Sequence, residues 1–162
     1  MECMNLIPPH RTKSKPVESW KQIKKDAQEM IELLDSRSFA NRTYTDAFAI
    51  HHSQVSETPL NFFVLHIFYA KKHLRKRVII NAEILEKNHK KLSKEGCLSY
   101  LFRPEVKIKR YDWVKVRYQV PGFFGLKTMT EELTDLTAQV WQHEIDHGNG
   151  VFMIDHVPKK RR

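Results

Sequence analysis

His143-Glu144-Ile145-Asp146-His147 sets two imidazoles four residues apart, with a carboxylate one step from the first. Residues four apart share a helical face, so both rings can converge on one cation while Glu144, one step round, points to a water beside it. The chemistry served is hydrolysis, in which a divalent ion acidifies water and a carboxylate takes the proton. HExxH also arises by chance, and the deciding feature is a third ligand, because a catalytic site normally has three protein ligands and one open position. The extended pattern HExxHxxGxxH needs histidine at 153; Gly150 fits, but position 153 is Met. A downstream glutamate is also missing, since none follows Glu144. The remaining soft donor is Cys97, in Glu95-Gly96-Cys97-Leu98-Ser99, which lies 143 − 97 = 46 residues upstream of His143. A thiolate with two imidazoles suits Fe2+, Zn2+, Ni2+ or Co2+, and Gly96 allows close backbone approach.

The elements that must carry these residues are legible in part. Trp20, Ile23, Ala27, Met30, Ile31 and Leu34 recur at steps of three and four, which predicts an amphipathic helix over residues 18–35. Phe62 to Tyr69 and Val78 to Ile80 are apolar, β-branched and aromatic, which predicts buried strands. Val106, Ile108, Val114, Val116, Tyr118 and Val120 all fall on even positions, the period of half-buried strands, with a bend expected near Asp112. Pro121-Gly122 and Gly125 predict an irregular connection. Thr128-Met129-Thr130-Glu131 reads as a capping box opening the last helix, with Leu133, Leu136, Val140, His143 and His147 at helical spacing and Gly148 and Gly150 as its stop. The expectation is an α+β fold: β-sheets packed around a central C-terminal helix that carries HExxH, plus an N-terminal amphipathic helix, all in one domain over residues 1–162.

Glu95-Gly96-Cys97-Leu98-Ser99 and Gln142 through Gly150 resemble two signature motifs of the peptide deformylases, whose ligands complete one metal site. Asn81 to Leu85, Arg103-Pro104 with Val106 and Ile108, and Ala138 ahead of Gln142 extend the likeness over about residues 40–157. A third motif, a glycine-rich strand and turn ending in Ala-Ala-x-Gln, matches Ala47-Phe48-Ala49-Ile50-His51-His52-Ser53-Gln54, with alanines for both glycines and histidines for both alanines. The leucine usual after the second metal-binding histidine is Gly148. The resemblance implies Cys97, His143 and His147 as ligands, Glu144 as general base, and the Leu98 N–H and Gln54 amide as oxyanion donors. It implies Fe2+ as the native ion, replaceable by Zn2+ or Ni2+, and an N-formylmethionyl peptide as substrate. Phe48, Leu136 and Val140, with Ala49 and Gly96 beside the site, are expected to hold the substrate. Of His51 and His52, at most one should lie near the metal, since neighbouring strand residues face opposite ways. Glu95 and Asp146 are expected to hold hydrogen bonds around the ligands, with Arg103 as partner to one of them.

The chain carries 28 Lys plus Arg against 19 Asp plus Glu, a formal charge of +9 spread along its length, which leaves room for contact with RNA or the ribosome. Cys3 and Cys97 could form one bridge at most, so disulfides do not hold the fold. The N-terminal residues have no continuous apolar stretch of the kind a secretory signal needs, and no membrane span is expected. These features predict a cytoplasmic monomer, from a bacterial cell, a virus-infected host or an organelle. His147 stands 162 − 147 = 15 residues from the C-terminus, which predicts that a C-terminal helix common in the family is missing. Two other functions fit the residues: a metalloamidase acting on a different N-acylated amine, and a basic RNA- or ribosome-binding module with a structural metal.

Overall fold

The computed structural model describes residues 6–7, 11–39, 49–67, 75–100 and 105–157. In chain order it contains helix α1 (Trp20–Phe39), strands β1 (Ala49–His51), β2 (Phe62–Ile67), β3 (Arg75–Glu95), β4 (Val106–Gly122) and β5 (Gly125–Thr134), and helix α2 (Asp135–Gly148). Single 3-10 turns follow β1 (His52–Gln54), β3 (Leu98–Tyr100) and α2 (Met153–His156). The five strands form one antiparallel sheet in sequential order, where several sheets were expected.

The sheet lies between the two helices. Successive strand residues point to opposite faces, so β2 sends Phe62 and Val64 toward α1, and Phe63 and Leu65 toward α2. This explains why Phe62 to Leu65 is apolar without alternation: both faces are covered. On the α1 side, Ile23, Ala27, Met30 and Leu34 are fully buried with Val17, Ile50 and Ile80. Burial of each large member contributes roughly 1.5–3 kcal/mol. On the α2 side, Trp141 meets Tyr118 and Phe63 edge-on at ring separations of 4.9 and 5.3 Å. Ala138, Ile145, Val114, Val116 and Leu133 complete that layer.

Several expectations are corrected. Residues 106–122 form one strand without a break at Asp112, and the irregularities lie on β3, where the register shifts between Ile80 and Glu83 and between Ile84 and Glu86. Residues 121–125 make a tight hairpin, with Gly122 paired to Gly125 across Phe123-Phe124. Gly125 takes φ +128, a conformation side chains resist. Thr128 to Glu131 lies in β5 and caps no helix: α2 starts at Asp135 after Thr134. Pairing with β4 wins because it buries Leu133 and lets the Tyr118 hydroxyl donate to Glu131 Oε2 at 2.6 Å, which a local capping box cannot match.

Two devices fix α2 on this frame. Gln142 donates from Nε2 to the Tyr111 carbonyl at 2.7 Å and accepts the Tyr111 N–H at 3.0 Å, which ties the helix to β4. At its far end, the Gly148 carbonyl accepts the Ser14 N–H at 2.8 Å, and Arg11 lies over the Phe152 ring and pairs with Asp155 at 2.6 Å. Gly150, at φ +72, has no room for a side chain because Arg11 O lies 2.0 Å from where a Cβ would stand.

Candidate metal centre

Three chain segments meet at the inner face of α2. Cys97, between β3 and the turn Leu98–Tyr100, places Sγ 3.4 Å from His147 Nε2, and His147 Nε2 lies 3.1 Å from His143 Nε2. The three donor atoms lie within 4.8 Å of one another. Sulfur and two imidazole nitrogens facing one point suit a borderline-soft divalent cation, and three ligands leave a coordination position free. His147 is 1% exposed and Glu144 4%, so the site is set into the core side of the helix.

The tautomers follow from the partners. His143 Nδ1 lies 2.9 Å from Glu95 Oε2, so Nδ1 donates and Nε2 is left with its lone pair toward the site. Glu95 is in turn gripped by Arg110, whose Nε and Nη2 donate at 2.7 and 3.0 Å, and Arg110 also holds Asp146. Burial would raise the Glu95 pKa, yet hydrogen bonds from His143 and Arg110 bring it down to about 2. Burial opposes charge on His143 as well, but the Cys97 sulfur, Glu95 and Glu144 raise it to about 10. A cation held there would reverse that last shift, since the Nε2 lone pair that would take the proton is the one that would ligate. His147 is held well below the usual histidine range by burial and by His143, His51 and Arg110.

Glu144 is buried, and its Oε2 has no hydrogen-bond partner. Burial pushes its pKa up to about 7, with His143 pulling the other way and Glu95 adding to the rise. Gln54 is oriented by its own turn: Oε1 accepts the His51 N–H at 2.8 Å, which leaves the amide NH2 facing Ser99 Oγ at 3.0 Å and Cys97 Sγ at 3.6 Å. The site therefore gathers three candidate ligands, a buried carboxylate and an amide donor.

A model of the polypeptide deformylase family matches residues 8–162. The chain belongs to that family. The peptide deformylase of Thermotoga maritima is 33% identical over 94% of this chain and 83% of that protein. The crystal structure of peptide deformylase from Thermotoga maritima superposes with a TM-score of 0.79 at 30% identity, covering 98% of this chain and 100% of that one. The match to the peptide deformylase of Thermotoga neapolitana is 47% identical but covers 52% of this chain and 49% of that protein. The chain thus spans about half the length of that relative. Neither alternative function receives support from these likenesses.

Against the deformylase pattern, the remaining expected residues divide. Leu98 packs toward the α1-side core, Ala49 is buried in β1, Val140 packs against the α2-side core, and Gly96 is exposed. Leu136, expected among the residues that hold the substrate, is 50% exposed in the first turn of α2, which starts at Asp135. Phe48 and Arg103 lie outside the described residues. Glu95 finds its partner in Arg110, which also reaches Asp146. Arg110 was the residue missed, although it occupies an even position in the alternation of β4, a charge on the apolar phase that calls for a buried acid. His156, 2.7 Å from Asp146 Oδ2, and Ser99 were also missed, and no spacing in the sequence marks them. His51 and His52 diverge: His51 turns toward His147, while His52 stacks on Phe62 and meets Asp26 on the α1 side.

Proposed function

We propose that the chain is a single catalytic domain that removes the N-formyl group from the starting methionine of nascent polypeptides and releases formate. The observation that carries this reading is the meeting of Cys97, His143 and His147 beside a buried, unpartnered carboxylate oxygen of Glu144. Fe2+ is the proposed native ion, with Zn2+ or Ni2+ as substitutes, held by one sulfur and two Nε2 atoms. When bound, such an ion supplies Lewis acidity that makes water nucleophilic near neutral pH.

The side chains perform the rest. Glu144 takes the proton as water adds to the formyl carbonyl, and returns it to the amine as the C–N bond breaks. The developing oxyanion receives hydrogen bonds from the Gln54 amide and the Leu98 N–H, of which Gln54 is already fixed by its bond to His51. Glu95 and Arg110 keep His143 in the tautomer that presents Nε2. Val140 and Ala49, with Phe48, Gly96 and Leu136, are proposed to receive the methionine side chain, Leu136 from the rim.

No helix among the described residues is long and apolar enough to cross a membrane. We place the protein in the cytoplasm as a monomer, with the ribosome as a partner reached through basic surface.

Glu144→Ala is the test. Protein prepared without oxygen should keep its metal, measured by elemental analysis, while formate release from formyl-Met-Ala-Ser falls by a factor on the order of 100 or more. Full hydrolysis by the variant removes Glu144 from its role, and cleavage of the acetylated peptide alone would overturn the substrate.

A further inference from the structure

Behind the ligand His147, opposite the metal side, several buried polar atoms gather at the end of α2. His51 is fully buried; its Nδ1 accepts the Ser53 N–H at 3.0 Å and lies 3.0 Å from Ser53 Oγ. With Nδ1 accepting, the proton of the neutral ring sits on Nε2. That Nε2 faces the Asn61 side chain, whose hydrogen bond opposes the fall in the His51 pKa, while His147 Nδ1, which would carry the proton were Nε2 to bind a cation, has no hydrogen-bond partner. The two rings stand 6.4 Å apart between centroids. Between His51 and the helix comes Gly148. A Cβ built on Gly148 would lie 3.0 Å from His51 Nε2, 3.6 Å from His51 Cε1 and 2.8 Å from Asn61 Oδ1.

Of these neighbours the Asn61 oxygen ends a side chain that can turn aside, whereas the His51 ring cannot. The His51 ring is anchored by Ser53, and the Asn61 backbone is fixed by bonds to Lys15 O at 2.7 Å and from Asn81 N at 2.8 Å. The Gly148 carbonyl is held by Ser14. The imidazole therefore stands against a bare α-carbon, one residue after a ligand.

We propose that His51 is a positioning residue for the ligand His147: its ring fills the volume that a side chain at 148 would take, and His51 with Gly148 forms one size-matched pair that sets where the end of α2 meets the cation. The pair acts through packing. A larger group at 148 has to displace either the anchored ring or the last turn of α2, and the second choice moves His147. Loss of the ring leaves that turn unsupported on the same side. Each single change should loosen the ligand, and a paired change that conserves volume should restore it.

This inference rests on Cys97, His143 and His147 being the metal site, and the test separates the two. Cobalt(II) is titrated into metal-stripped protein, following its thiolate charge-transfer and ligand-field bands, for wild type, His51→Ala, Gly148→Leu and the double variant. Wild type should show the thiolate band. Each single variant should lose cobalt affinity by about 10-fold or more, as changes to residues that orient ligands do, with altered ligand-field bands. The double variant should recover to within roughly 3-fold of wild type, a non-additivity that marks direct coupling. If Gly148→Leu does not fold, His51→Ala and the double variant still read the pair. Additive losses in the double variant, or a Gly148→Leu protein with wild-type affinity and bands, overturn the pairing alone. Absence of a thiolate band in wild type overturns the metal site and this inference with it.

Discussion

Glu95 and Gln54 act on the site by different physics, and substitution should separate them. Glu95 accepts from His143 Nδ1 and is itself held by Arg110, so its charge and position decide how firmly the His143 lone pair faces the ion. Glu95→Gln keeps the shape but removes the charge, and metal affinity measured against a chelator should fall about 10- to 100-fold. Gln54 touches Cys97 only at the long distance of 3.6 Å, and in the proposed mechanism its amide serves a charge that forms during reaction. Gln54→Ala should therefore keep the metal content and lower kcat by a factor on the order of 100, with formate release and elemental analysis as paired readouts. At this scale the sequence was most informative. HExxH and Cys97 carry chemistry in their residue types, while Arg110 and His51 do their work only through what they touch.

Helix α2 delivers three of the five groups, and its placement depends on Trp141 and Gln142. Trp141 is 1% exposed and packs edge-on against Tyr118 and Phe63, from β4 and β2. Trp141→Ala should destabilise the fold by about 3–5 kcal/mol, read as a lower urea midpoint at unchanged slope. Loss of Trp141 also frees α2 to shift on the sheet, so cobalt affinity should fall with it. The start of this helix was misread because Thr128 to Glu131 carries a local capping pattern, and pairing with β4 is a nonlocal term that no local pattern contains. The long strands were underestimated for a related reason. Residues 83–94 of β3 are largely exposed and polar, so no apolar periodicity marks them, and the ladder with β4 alone makes them strand.

For the molecule as a whole, the buried titratable groups set how stability depends on pH. Burial lowers the His51 pKa from 6.5 to about 3, helped by His52 and opposed by Asn61, so between those values the unfolded chain binds the extra proton. His51 therefore removes stability as pH falls from about 6.5 toward 3, and His147 acts in the same direction. Glu95, lowered from 4.5 to about 2, removes more below 4.5. Glu144 works the other way, since its folded value is raised from 4.5 to about 7 and its charging costs stability across that window. In metal-stripped protein His143 contributes fully below 6.5, and that contribution is lost as pH rises toward its folded value of about 10. Thermal melts in chelator should show greatest stability near pH 6.5 to 7, with a steep fall below 4.5. A maximum above pH 9 would contradict the assignment for His143.

The sequence by itself determined the candidate ligand types, the helical spacing that would let His143 and His147 share a cation, and the alternation that made β4 a strand. These are local: they follow from residue chemistry and from backbone periods of 3.6 and 2. Only the tertiary structure decided that Cys97 reaches His147 across 50 residues, and that Arg110 turns inward to hold both Glu95 and Asp146. It also decided that His51 and Gly148, two separate departures from the deformylase pattern, lie against each other. Such contacts arise when a sheet folds over a helix. They depend on which distant atoms arrive at the same volume, and one-dimensional spacing carries no record of that.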